Sequence, residues 1–128
     1  MGNAHGEIHW TELNSHEPAK AAAFCTQVLG WQVQEVDMGG GQPYRLVMRG
    51  EEMVAGIFAM EGPEFEGVAD QWVTYFAVDD ADKSVAEITA AGGKVLRAPF
   101  DVPEAGRVAM VMDATGAIFG VMTPAEGA

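Results

Sequence analysis

The sequence predicts an α+β fold made of two βαβββ modules within one chain of 128 residues. Two observations carry this reading. Strand, helix and three strands occur in the same order twice, and each helical stretch ends on glycine just before the next strand. A third supports it: a shift of 62 residues pairs Trp10 with Trp72, Ala19 with Ala81, Gly30 with Gly92, Val33 with Val95, Arg45 with Arg107, Met48 with Met110 and Met60 with Met122.

Taken in order, Ile8 to Leu13 reads as a strand. Ser15 to Pro18 supplies a helix start, with proline in the first turn. Ala21, Phe24, Cys25 and Val28 then fall at helical spacing, and Gly30 ends the helix. Gln32 to Asp37 is the second strand, broken by Gly39-Gly40-Gly41. Tyr44 to Arg49 and Met53 to Met60 form a hairpin around Gly50-Glu51-Glu52. Glu61 to Asp70 is a connection rich in Gly, Pro and Glu. In the second module Gln71 to Val78 is a strand, Asp79 and Asp80 are placed to cap a helix, and Ala81, Val85 and Ile88 form that helix's apolar side. Gly92-Gly93 stops it. Lys94 to Ala98, Arg107 to Met112 and Ala117 to Thr123 complete the module, with Asp113-Ala114-Thr115-Gly116 as the last turn. The domain organisation expected is a single domain over 1–128, with module one at about 7–60, a linker at 61–70 and module two at about 71–124. Neither half is large enough to bury a sheet face alone, so the halves must pack together or pair with halves of another chain.

Seven basic and nineteen acidic residues leave a formal charge of −12. Such a surface repels phosphate backbones and anionic lipid, so nucleic acid and membrane surfaces are poor partners. No apolar run reaches the roughly 18 residues of a membrane span. Met1 to Glu7 has neither the basic nor the apolar region of a secretory signal. The lone Cys25 excludes an intrachain disulfide and, with no signal, fits a cytoplasmic chain. Gly39-Gly40-Gly41 lacks the lysine and following helix that phosphate binding needs, and no serine-nucleophile order or dinucleotide fingerprint is present.

Three segments resemble the vicinal-oxygen-chelate superfamily, the glyoxalase, bleomycin-resistance and dioxygenase proteins. Phe24-Cys25-Thr26-Gln27-Val28-Leu29-Gly30-Trp31 is similar to that family's Phe-Tyr-x-x-x-Leu-Gly-Trp helix ending, with cysteine in place of tyrosine. Val78-Asp79-Asp80-Ala81 resembles the start of its second helix. Asp113-Ala114-Thr115-Gly116-Ala117-Ile118-Phe119 resembles its Asp-Pro-x-Gly turn, with alanine in place of proline. The resemblance covers Glu7 to Pro124. It implies curled mixed sheets around a cup that takes a small molecule, and a homodimer.

The resemblance also implies a divalent metal held by one His, Gln or Glu from the first and last strand of each module. Carried over from the motifs, those positions fall on Trp10, on Ala55 or Gly56, on Val73 and on Gly120, none of which can ligate. A slip of one residue brings in only His9. His5 and His9 are four apart, a spacing useful on a helix but not in coil and strand, and His16 sits at a helix start. No metal and no cofactor is therefore expected.

The candidate ligand-binding residues are Trp10, Glu12, Met48, Phe58, Trp72, Tyr75, Met110 and Met112. Aromatic rings and pliable methionines suit an apolar or aromatic guest, although the same side chains serve equally as ordinary core. Glu12 shares the Trp10 face two residues along. It is the weak catalytic candidate, since a carboxylate in an apolar cup can act as a base; the alternative is a solvated strand-end Glu. Arg45 and Arg107 either bind an anion or pair with carboxylates, and Cys25 reads as a small buried hydrophobe. The leading function is metal-independent binding of an apolar or aromatic compound. A lyase, isomerase or dioxygenase-type enzyme and a structural dimer with a filled cup are the alternatives.

Overall fold

A computed structural model of the chain describes residues 4–37, 39, 41–102 and 105–125; Gly40, within the expected glycine turn, lies outside them. The elements are β1 (Ile8–Ser15), α1 (Pro18–Leu29), β2 (Gln32–Val36), β3 (Tyr44–Arg49), β4 (Glu52–Ala59), β5 (Gln71–Ala77), α2 (Ala81–Ala90), β6 (Lys94–Val102), β7 (Gly106–Met112) and β8 (Ile118–Pro124). A 3₁₀ turn, Pro63–Phe65, interrupts the connection before β5. The order strand, helix, three strands thus occurs twice. Among the described residues no helix is long and apolar enough to cross a membrane.

The chain forms two compact units whose boundary falls inside β1: one is Thr11–Trp72, the other combines the chain up to Trp10 with Val73 onward. In the Thr11–Trp72 unit the strand order is β2-β3-β4-β1, with β1 parallel to β4 and the other pairs antiparallel. In the other unit it is β5-β8-β7-β6, with β5 parallel to β8 and the other pairs antiparallel. Parallel pairing of first and last strands is what a crossover through a helix and a hairpin produces.

Gly30 takes a left-handed conformation, φ 72°, and returns its N–H to the Thr26 carbonyl, closing α1 as the sequence predicts. Asp80 caps α2, its side chain accepting from the Lys83 N–H. The face of α1 differs from expectation. Pro18, Ala22 and Cys25 are buried, and Ala22 packs in a cluster with Val47, Ala55 and Ile57, whereas Phe24 and Val28 point outward. The helix is apolar nearly all round, so spacing alone could not choose between two stripes; the one with small side chains lets the helix lie close to the sheet. In the other unit, Val78 and Ala81 pack with Ala109 and Val121, joined by Val85 and Ile88.

β6 runs past Pro99 to Val102, not ending at Ala98. As the outermost strand of its sheet it tolerates a residue without an N–H, and register shifts occur on either side of Arg97.

The internal repeat also has a different offset. Glu12 is paired with Gly56 and Tyr75 with Gly120, while Leu46 and Met110 face the same two glycines. The equivalences are therefore Glu12 with Tyr75 (75 − 12 = 63), Gly56 with Gly120 and Leu46 with Met110 (64 each). Trp10 corresponds to Val73, not Trp72; Met48 corresponds to Met112, not Met110; and Arg45 corresponds to Ala109, not Arg107. A change of one residue moves every side chain to the opposite face.

Candidate functional site

In the Thr11–Trp72 unit, β1 sends alternate residues to opposite faces. Leu13 packs against the cluster under α1, which leaves Glu12 and Asn14 on the other face. Glu12 is only 7% exposed, so the solvated strand-end alternative is excluded. Its Oε1 accepts from Asn14 Nδ2 at 3.1 Å, and its Oε2 accepts from the Tyr44 hydroxyl at 2.8 Å. Such donors offset part of the cost of removing a carboxylate from water.

Gly56 is what allows this arrangement. It lies beside Glu12 on β4, and a Cβ there would fall on the Tyr44 hydroxyl and ring. The missing side chain lets the phenol cross β4 toward the carboxylate. Asn14 is buried, and its Oδ1 has no hydrogen-bond partner among the described residues. Phe58, beside Asn14, makes an edge-to-face contact with Phe65 at 5.7 Å between centroids. Met48 is half-buried and has the strand phase of Tyr44 and Leu46. Glu12, Phe58 and Met48 are thus brought to one face. The sequence reading missed Asn14 and Tyr44. A glycine inside β4 was the available signal, since it marks close approach by another group.

In the other unit Tyr75 is buried with Val73, Val108 and Met122, and Trp10, Phe100 and Ile118 pack against this cluster. The Tyr75 ring lies over Gly120 as Tyr44 lies over Gly56: a Cβ at Gly120 would fall on it. Met110 faces Gly120 and is buried; Met112 faces Ile118 and is half-buried. Trp10, Tyr75, Met110 and Met112 therefore share one face.

Trp72 does not belong to either group. It is 46% exposed and meets Trp31 edge-on, with centroids 6.3 Å apart. Its phase on β5 is opposite to that of Val73 and Tyr75, which follows from the offset of 63 in the first strand.

The positions where a metal would be ligated hold Trp10, Gly56, Val73 and Gly120, with tyrosine rings occupying the space a ligating side chain would need at both glycines. These residues do not fit a divalent ion. Among the described residues no three His, Cys, Asp or Glu side chains converge. Two of the three histidines are engaged separately: His5 Nδ1 accepts from the Asp79 N–H, and the His16 Nε2 lies 2.7 Å from the Val68 carbonyl.

Arg107 is paired with Asp82 and Asp101, at 2.7 and 3.1 Å, and its guanidinium holds the Asp82 carboxyl below the ordinary aspartate range. Arg45 lies on the opposite face from Tyr44, is buried, and reaches Glu35 at 3.6 Å. Both follow the carboxylate-pairing alternative. Burial pushes the Cys25 thiol above its ordinary value, as for a small buried hydrophobe.

Residues 7–121 match the model of the Glyoxalase/Bleomycin resistance protein/Dioxygenase superfamily. The chain is 42% identical over 123 residues to CFP32 of Mycobacterium tuberculosis and Mycobacterium bovis, provisionally named a glyoxylase, covering 96% of this chain and 46% of that protein. It is 32% identical over 139 residues to the anthracycline biosynthesis protein DnrV of Streptomyces peucetius, covering 96% and 50%. The chain thus spans about half the length of the curated relatives it matches. Among solved structures, a methylmalonyl-CoA epimerase of Streptomyces coelicolor superposes with a TM-score of 0.63 at 16% identity, covering 95% of this chain and 99% of the other. The element order, the two helix-to-strand glycines and the match over most of the length lead to one assignment: the chain belongs to the Glyoxalase/Bleomycin resistance protein/Dioxygenase superfamily.

Proposed function

We propose that this chain binds a largely apolar or aromatic small molecule, without a metal, on the strand face that carries Glu12. One observation carries the reading: a carboxylate 7% exposed, held by Asn14 and Tyr44 on a sheet face away from the helix. Burying a charge and an unpartnered amide oxygen costs folding energy, and proteins retain such costs mostly where a site needs them. Phe58 and Met48 give the same face apolar surface. Trp10, Tyr75, Met110 and Met112 are proposed as ligand-lining residues on the same grounds of chemistry and strand phase. The names of the relatives, a glyoxylase and an anthracycline biosynthesis protein, concern small-molecule chemistry, which supports the class and not a particular compound. The absence of donor side chains at the expected ligand positions supports metal independence.

The test is thermal stabilisation by a panel of aromatic compounds, with and without chelator. A binder at 100 times its Kd adds about 2.7 kcal/mol. Tyr44→Phe keeps the ring over Gly56 and removes the donor, so it should weaken binding while the protein remains folded. Stoichiometric zinc, nickel, iron or manganese that chelator removes together with binding would refute the proposal.

A second reading is that Glu12 takes a proton from a bound substrate. It is favoured by the same buried carboxylate, which lies within a hydrogen bond of a phenol that can relay charge. Exchange of a ligand's acidic C–H for deuterium, lost in Glu12→Gln with binding retained, would select this reading; no exchange for any bound ligand would reject it.

A further inference from the structure

The strand face that carries Glu12 also carries a buried acceptor. Asn14 is 1% exposed, and its Oδ1 has no hydrogen-bond partner among the described residues. The direction of the amide is fixed by its other end. Asn14 Nδ2 donates to Glu12 Oε1 at 3.1 Å and lies 3.5 Å from the Glu12 carbonyl oxygen. Turning the amide over would set its oxygen against both of those oxygens, so the acceptor end is the one left over. A buried acceptor in that state bears the whole cost of leaving water. A ligand that brings an O–H or N–H offsets that cost, and a ligand without a donor does not.

The neighbour of Asn14 on β4 indicates what the rest of the ligand is. Phe58 pairs with Asn14 and meets the Phe65 ring edge to face. Phe65 ends the 3₁₀ turn and is 3% exposed, whereas residues 61–64, 66 and 67 around it are exposed. Gly62 and Gly67, with φ of 102° and 81°, bracket the turn. Past Gly67 the chain is pinned: the Val68 carbonyl meets His16 Nε2, and Asp70 accepts from the Ser15 hydroxyl and the His16 N–H. All of these residues belong to the Thr11–Trp72 unit. One ring thus seats the turn against the sheet, and the glycine on either side lets the turn lift while the pinned end stays in place.

We infer, resting on the reading that this face binds an aromatic guest, that the guest is a hydroxy- or amino-substituted aromatic. Its ring takes the place of Phe65 against Phe58, and its O–H or N–H donates to Asn14 Oδ1. The incoming ring and the displaced one offer Phe58 similar contact, so their exchange is close to neutral. The hydrogen bond to Asn14 then decides which aromatic compounds bind well, because a guest lacking the donor leaves the amide oxygen buried and unpaired. Asn14 is in this way the residue that selects among guests, and Phe65 keeps the ring position dry and apolar until one arrives.

Isothermal titration of the full chain with β-naphthol and with its methyl ether tests the inference. The wild type should bind the naphthol about tenfold more tightly or better, as expected when a buried acceptor gains or lacks its donor. Asn14→Leu, close to Asn in size, should bring the two affinities within about twofold of each other, chiefly by weakening the naphthol. That variant also removes a donor to Glu12, so circular dichroism establishes first that it is folded. Hydrogen exchange on the wild type gives a readout that needs no variant. Naphthol should speed exchange at the Phe65, Glu66 and Val68 N–H groups, which bond to the Gly62, Pro63 and Phe65 carbonyls, and slow it in β1 and β4. Equal wild-type affinities, a preference that survives in folded Asn14→Leu, or slower exchange at those three amides each overturns the inference and leaves binding on this face standing. Failure of both compounds to bind also overturns it, and removes the binding reading as well if the wider aromatic panel gives no stabilisation.

Discussion

Gly56→Ala is the substitution that most directly tests how the polar cluster is assembled. The added Cβ would fall on the Tyr44 hydroxyl and ring, so the ring must swing away and release Glu12 Oε2. Forcing an extra carbon into a filled space costs about 1–3 kcal/mol. Losing a hydrogen bond to a charged acceptor costs about 1.5–3 kcal/mol. Against these stands a gain of about 0.4–1 kcal/mol, because alanine has fewer unfolded conformations than glycine. The net expectation is destabilisation by about 3 kcal/mol, equivalent to about 10 °C in Tm for a chain of this size. In a Tyr44→Ala background the obstacle is absent, so the same Gly56→Ala change should be neutral or stabilising by about 0.4–1 kcal/mol. Urea unfolding followed by tryptophan fluorescence gives all four corners of this cycle. A coupling energy below about 0.5 kcal/mol would refute the claim that the glycine exists to admit the phenol.

Two further outcomes follow from the capping and loop geometry. Asp80→Ala should cost about 1 kcal/mol through loss of the bond to the Lys83 N–H, whereas Glu17→Ala, which removes no side-chain cap from α1, should change the urea midpoint by less than about 0.5 kcal/mol. Asp70 is held below the ordinary aspartate range, first by the hydrogen bond from the Ser15 hydroxyl and then by the His16 N–H. A depressed folded-state value contributes stability that is complete above the unfolded aspartate value and is lost as pH falls through the folded one. The wild type should therefore lose stability below about pH 4 more steeply than Asp70→Asn. Parallel acid limbs in urea titrations of the two proteins would exclude this contribution.

Much of the fold was legible because its punctuation is local. Gly30 and Gly92 mark the helix ends, Asp80 marks a helix start, and β3 needs nothing beyond its own alternation between Pro43 and Gly50. The face of α1 was not legible, since a helix with apolar residues on nearly every side offers no contrast to read. The repeat offset was harder still. Weak similarity tolerates 62, 63 or 64; the slip from 63 to 62 turns a strand residue to the opposite face, which is why Trp72 was grouped with Trp10, and the slip from 64 to 62 keeps the face but matched Met48 to Met110 instead of Met112. Within the site, Glu12 could be found from its phase in β1. Tyr44 was missed, because its partnership with Glu12 depends on a side chain reaching across β4 where Gly56 leaves room, and that glycine was its sole trace in the sequence.

Pro99 has an effect on the protein's behaviour in concentrated solution. It places a residue without an N–H in β6, the outermost strand, and register shifts occur on either side of Arg97, so the strand offers an incoming chain an irregular row of partners. The outermost strand of the Thr11–Trp72 unit, β2, is only five residues long. Strand addition is discouraged at both of these strands, which lowers the tendency of crowded molecules to add edge to edge into fibres.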